Sequence, residues 1–271
     1  MRYFPLKHDR FEHQFGIRAL SHEQPIIERT ERFEIEVDLK RRLLEEDREN
    51  YVAALASSET AQQEAVTFIS HATPELTLPS EPDAAMPLLA LALAVQEDLV
   101  IMSGDARKGF PVIAGVVCFP SGWTITEKIG KPMLQVHQPV PEYAAEFGSP
   151  VDRLLASLKS GRSVWRMNWG VRSSDRLDQS PKQLIGSGIN ITDAGSQCYF
   201  RVERQTLSRL PQTNAILFTI HTHQCKLDEL LEWQQRNLLG VLMSCPQETL
   251  RYKGIERILD PVCEFLRRQL A

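Results

Sequence analysis

Along this chain the spacing of apolar residues changes from helical to alternating and back again, which divides it into three stretches. In 37–55, Leu39, Leu43, Leu44, Tyr51 and Leu55 recur at roughly helical spacing among Lys, Arg and Glu, and this predicts an amphipathic helix. A second helix is expected over 59–71, with Ser58 or Thr60 near its start and Pro74 past its end. The segment 73–87 carries Pro74, Pro79, Pro82 and Pro87 and reads as loop, and 88–96 as a short buried helix. At 97 the texture changes. Segments 98–102 and 110–119 are β-branched, apolar runs joined by a polar, glycine-containing link, which is a hairpin pattern. Segments 198–207 and 214–223 form a second such pair across Leu210, Pro211, Gln212 and Thr213. Between the two hairpins, 150–159 suits a helix and 165–172 a strand. Helical spacing returns over 227–270 and breaks near Cys245 and Pro246.

Helices, then mostly antiparallel strands, then helices argue for an α+β fold instead of an alternating doubly wound sheet. The expected organisation is an N-terminal arm or lid, 1–30, followed by one domain over 31–271: helical to 96, a sheet core over 97–225, and C-terminal helices over 226–271. A single unit of 271 residues buries roughly 75% of its unfolded surface, so no disulfide or metal staple is needed. The longest apolar run, 84–95, contains Pro87 and falls short of the ~20 residues that span a bilayer, so it reads as a buried helix. The N-terminus lacks the apolar centre of a secretory signal. With a net charge of −4 and its basic residues scattered among acids, the chain has no nucleic-acid footprint. Its five cysteines are odd in number and none sits at C-x-x-C spacing, which is simplest as reduced thiols in a cytoplasm. Gly186-Ser-Gly188 lacks the third glycine of a dinucleotide fingerprint, and neither a phosphate loop nor a G-x-S-x-G elbow is present.

The densest chemical signal follows the first hairpin. Cys118-Phe-Pro-Ser-Gly-Trp123 leads through Pro132 to His137-Gln-Pro-Val-Pro141, placing one histidine in a loop restricted by Pro132, Pro139 and Pro141. From the residues alone His137 is either a loop histidine satisfying a turn or the ligand of a buried cofactor. Arg166-Met-Asn-Trp-Gly170, the run from Arg201 to Pro211, and Ala215-Ile-Leu-Phe-Thr-Ile220 complete a set of separated segments covering most of 31–235. In order and spacing these segments resemble the heme-dependent oxidative N-demethylase alpha-subunit-like family.

That resemblance implies a Per-Arnt-Sim-like (PAS-like) core, an antiparallel sheet with helices crossing one face. It implies a heme-dependent monooxygenase subunit carrying heme b, with His137 as the metal ligand. The substrates would be O2 and a small methylated amine, whose methyl group leaves as formaldehyde. Because the chain has neither a flavin fingerprint nor clustered cysteines, electrons would come from a separate flavin/iron–sulfur reductase. A non-catalytic heme or small-ligand sensor with the same core is the alternative, and a heme-free structural subunit a third.

Arginine pairs with planar carboxylates, so Arg166, Arg201, Arg204 and Arg209 are candidates for the heme propionates or substrate, with ordinary interstrand ion pairs as the competing role. Alternation places Phe200, Val202, Arg204 and Thr206 on one face and Arg201, Glu203 and Gln205 on the other. An interior Arg204 would then need a buried anion, and a propionate would supply one. Trp169 is either a cofactor contact or core, and Trp123 reads as core. Asn168 is a candidate to bond the substrate amine or to orient oxygen; with Arg204 it makes up the expected catalytic set. His221 and His223, at i and i+2, project to one face; they read first as strand-end histidines facing water and second as two metal ligands, with a third, such as a carboxylate or Cys225, to come from elsewhere.

Overall fold

The computed structural model describes residues 1–13, 16–79, 86–138, 148–184 and 191–271. Pro139, Pro141 and Gly186–Gly188 lie outside them. The fold is α+β. Its centre is a seven-stranded, wholly antiparallel sheet built from β1 (Arg18–Ala19), β2 (Val52–Ala54), β3 (Asp98–Met102), β4 (Val112–Val116), β5 (Ser163–Arg172), β6 (Tyr199–Arg209) and β7 (Ile216–Lys226), in the order β1-β5-β6-β7-β3-β4-β2. The two expected hairpins are β3–β4 and β6–β7.

Both edge strands were unforeseen. The first predicted helix is α1 (Phe33–Tyr51), and it stops short of Leu55 because Val52 turns extended and 52–54 pair with β4. Here sheet pairing overrides a helical pattern, as tertiary context commonly does. β1 pairs Arg18 with Trp165 and Ala19 with Val164, so among the described residues most of the outer edge of β5 carries no neighbouring strand.

Helices α2 (Glu59–Ala72) and α3 (Pro87–Ala92) follow. Pro87, read as loop, instead opens α3 at its first turn, where the missing N–H costs nothing. The short α4 (Met133–Val136) and α5 (Gly148–Ser157) lie between β4 and β5. The one-turn helices α6 (Pro181–Leu184) and α7 (Ala194–Gln197) precede β6, and α8 (Glu232–Ser244), α9 (Gln247–Tyr252) and α10 (Leu259–Leu270) close the chain, with Cys245 and Pro246 separating α8 from α9. Among the described residues no helix is long and apolar enough to cross a membrane.

Strand alternation gives the sheet two faces with separate cores. On one face, Leu99, Ile101 and Leu217 pack with α2 and α3 through Ile69, Leu88 and Leu91, while Phe200 and Val202 pack with Leu238, Leu242 and Leu266 of α8 and α10. On the other, Val100, Met102, Val112 and Ile216 lie under Ile125, Met133, Leu155 and Leu158. Each such side chain removed from water contributes roughly 1.5–3 kcal/mol, and the split leaves the second face room for a cleft.

Candidate functional site

The cleft lies between this second face and the helices α4 and α5, and it opens around the unpaired edge of β5. Its volume is about 1660 Å³, above the ~300–1,000 Å³ usual for small-molecule sites. Val100, Met102, Val112, Leu207 and Phe218 give it an apolar floor. Val136, Val151 and Leu154 face them from α4 and α5, and Arg166, Asn168, Glu203 and Gln205 form a polar wall.

His137 lines this cleft immediately after α4, a single turn that Pro132 starts at its N-cap. Its Nδ1 lies 3.0 Å from the carbonyl oxygen of Met133. A carbonyl only accepts, so Nδ1 carries the proton, and in that tautomer Nε2 bears the lone pair a metal requires. Burial is the main reason the ring titrates low, at about 4; the charges of Arg166 and Lys128 act in the same direction, against the bond to Met133. The imidazole is therefore neutral at physiological pH, which is the form that ligates iron.

On the polar wall, Glu203 accepts from the Ser121 hydroxyl at 2.8 Å, from Gln205 Nε2 at 3.0 Å and from Asn168 Nδ2 at 3.3 Å. Burial alone would raise its carboxyl, but the Arg201 guanidinium and these bonds outweigh burial and keep it ionised. Asn168 is fixed from its other end, because Lys253 Nζ donates to its Oδ1 at 3.3 Å and to the Trp169 carbonyl at 2.8 Å. Burial first, and then the nearby Arg172 charge, bring Lys253 down to about 8.

The structure thus brings His137, Arg166 and Asn168 to one cleft. Trp169 reaches its rim at the β5 edge, where its ring stacks on Phe200 and lies under Lys253 Nζ. Trp123 belongs to the core beneath and also borders the cleft. The three β6 arginines go elsewhere. Arg204 lies on the opposite face, 2% exposed, donating to the carbonyls of Pro25 and Ile26 with Glu28 Oε2 3.7 Å from its Nε. Its expected buried anion exists, but it is a carboxylate of the chain and not a propionate, so Arg204 is removed from both the catalytic and the cofactor-binding sets. Arg209 shares the cleft face, yet its guanidinium donates to the carbonyls of Leu155 and Leu158 at the end of α5 and to Asn214. It caps the C-terminal end of α5, where the helix leaves carbonyls to be satisfied from outside. Arg201 is likewise spent on the carbonyls of Leu177 and Phe119.

Glu203, Gln205, Lys128 and Lys253 were not singled out as site residues from the sequence. β6 alternation already put Glu203 and Gln205 on the face away from Arg204, so their position was legible. Lys253 follows α9 at the far end of the chain, and no local pattern ties it to β5. A family model described as "Haem-dependent oxidative N-demethylase, alpha subunit-like" matches residues 69–263, which hold every residue of the cleft named above. The match spans well over half of the 271 residues, and the chain belongs to that family.

Proposed function

We propose that this chain is the heme-binding catalytic subunit of an oxidative N-demethylase, with a PAS-like core that holds heme b in the cleft through His137 Nε2. The observation that carries this reading is the neutral, Met133-oriented imidazole at the wall of a cleft large enough for a macrocycle and a small substrate. The antiparallel run β4-β3-β7-β6-β5, crossed on the cleft face by α4 and α5, supports the PAS-like core. Bound heme would supply oxygen activation and the oxidation of an N-methyl group, which is released as formaldehyde.

The chain's own residues do the rest. The Met133 carbonyl fixes the tautomer and direction of the His137 imidazole that would hold the heme iron. Arg166 and Lys128 put positive charge beside it, suited to the propionates. The apolar floor excludes water from the reacting face. Asn168, held between Glu203 and Lys253, presents an amide edge to the substrate amine, and the ionised Glu203 favours a cationic ammonium group nearby. Electrons reach the site from a partner carrying flavin or iron–sulfur centres, in keeping with the alpha-subunit-like character of the family.

The test is the optical spectrum of heme-reconstituted protein and of His137→Ala, followed by assay with a generic reductase, NADPH and di- or trimethylamine. The expected result is a Soret band lost or strongly shifted in His137→Ala, and formaldehyde release by the wild type alone. An unchanged spectrum removes His137 as ligand. Ligand-dependent spectral shifts without formaldehyde make the protein a sensor.

A further inference from the structure

On the face of the sheet opposite the cleft, four buried side-chain atoms lack a hydrogen-bond partner among the described residues: Glu28 Oε2, Glu97 Oε2, His221 Nδ1 and His223 Nε2. Unsatisfied groups of this kind are costly, and four in one place call for a cause. Three of them converge. His221 Nδ1 lies 3.5 Å and His223 Nε2 3.4 Å from Glu28 Oε2, and all three atoms lie within 4.8 Å of one another. These separations are long for hydrogen bonds between charged or polar groups, and none of the three atoms makes one of good geometry. They match the spacing of donors around one tetrahedral ion, since bonds of about 2.0–2.1 Å put neighbouring ligands about 3.3 Å apart.

We infer that Glu28, His221 and His223 form a metal site, independent of the heme cleft, that takes a divalent ion of the zinc class. The two histidines on β7 leave a third ligand to be found, and Glu28 provides it from almost two hundred residues away. Its other oxygen is already committed: Oε1 accepts from the Tyr3 hydroxyl at 2.6 Å and lies 3.2 Å from the Arg2 guanidinium, which aims Oε2 at the histidines. Glu97 stands beside them, its Oε1 3.3 Å from His221 Nδ1 and accepting from the Glu28 amide at 2.8 Å, in reach as a fourth donor or as the carboxylate that balances the ion. Arg204, 3.7 Å from Glu28 Oε2, offsets the second negative charge.

Two imidazoles and a carboxylate favour zinc and its first-row neighbours over calcium or magnesium, which prefer all-oxygen shells. Glu28 is 3% and His221 1% exposed, and the Tyr3 ring lies 5.0 Å from that of His223. So closed a site is structural, and the ion would pin the N-terminal segment to β7.

The experiment strips the full-length protein with a chelator, then titrates it with Zn²⁺ by calorimetry and with Co²⁺ by visible absorption, and repeats both on Glu28→Gln and His223→Gln. The expected result is about one tight equivalent of metal, the d–d bands of tetrahedral Co²⁺ displaced by Zn²⁺, and a raised Tm. Each variant should bind Zn²⁺ at least about tenfold more weakly while its heme Soret band stays unchanged, which separates this site from the cleft. A wild type that takes up no stoichiometric metal overturns the inference and leaves a proton shared by His221, Glu28 and Glu97 as the occupant. Equal affinity in the variants also overturns it. Should a variant fail to fold, the wild-type Co²⁺ spectrum under Zn²⁺ competition decides alone.

Discussion

Replacing Arg209 with Met separates two roles that a strand arginine near a heme can play. In the structure its guanidinium donates to Leu158 O at 2.7 Å, to Leu155 O, and to both the carbonyl and the side-chain oxygen of Asn214 at 2.9 Å each. It ties the end of α5, which roofs the cleft, to the β6–β7 turn. Methionine keeps most of the aliphatic packing but leaves two helix-end carbonyls without a donor. At roughly 1–1.5 kcal/mol for each orphaned acceptor, plus a similar amount for the lost charge-assisted bond to Asn214, the apo-protein should lose about 3–4.5 kcal/mol. Urea unfolding of the heme-free protein measures this as a lowered midpoint with unchanged slope. Arg166→Gln supplies the contrast, because Arg166 lines the cleft: hemin titration should show weakened heme affinity, with apo stability changed by less than about 1 kcal/mol. An Arg209→Met protein of wild-type apo stability but poor heme affinity would refute the reasoning and restore Arg209 as a propionate partner.

Lys253 gives a pH signature. Its folded pKa, about 8, lies below the unfolded value of ~10.4, so the unfolded chain binds more protons between these limits and stability should rise with pH from about 8 to 10.4. The gain, about 2–3 kcal/mol at most, should vanish from the pH dependence of unfolding in Lys253→Met. Lys40 is fully buried, donating to the carbonyls of Ala92, Val95 and Glu97 and lying 3.7 Å from Asp98, whose carboxylate also takes the amides of Cys118 and Phe119. Lys40→Met should therefore destabilise by about 3–5 kcal/mol in chemical denaturation, since it strands a buried carboxylate. Lys40→Met with Asp98→Asn should recover part of that loss.

The central strands were legible because each carries its own evidence. β3 and β4 are short but strongly apolar, β6 and β7 are long and bounded by turn residues, and alternation along β6 assigned its faces correctly, with Phe200 and Val202 on one and Glu203 and Gln205 on the other. The edge strands were not legible. Val52–Ala54 and Arg18–Ala19 are too short for any periodicity, and their extended form exists only because an open strand edge lies alongside.

The candidate site divides along the same physical line. His137, Arg166 and Asn168 reach the cleft because a single local element places each of them, a proline-started turn or the cleft face of β5. Arg204 and Arg209 share the chemistry expected of propionate partners, but an arginine's destination depends on which acceptors the rest of the chain brings within reach. For Arg209 these are the carbonyls of Leu155 and Leu158 at the end of α5, and for Arg204 they are Glu28 and the backbone of residues 25 and 26, none of which is near in sequence. That non-local contact also bears on the histidine pair. Glu28 leaves the N-terminal segment, meets Arg204 on β6, and is thereby delivered to His221 and His223 on the neighbouring β7. A residue that looked like a heme contact is thus the one that steers a third ligand toward two histidines. Its removal should disturb the metal site while leaving the spectrum of heme in the cleft intact.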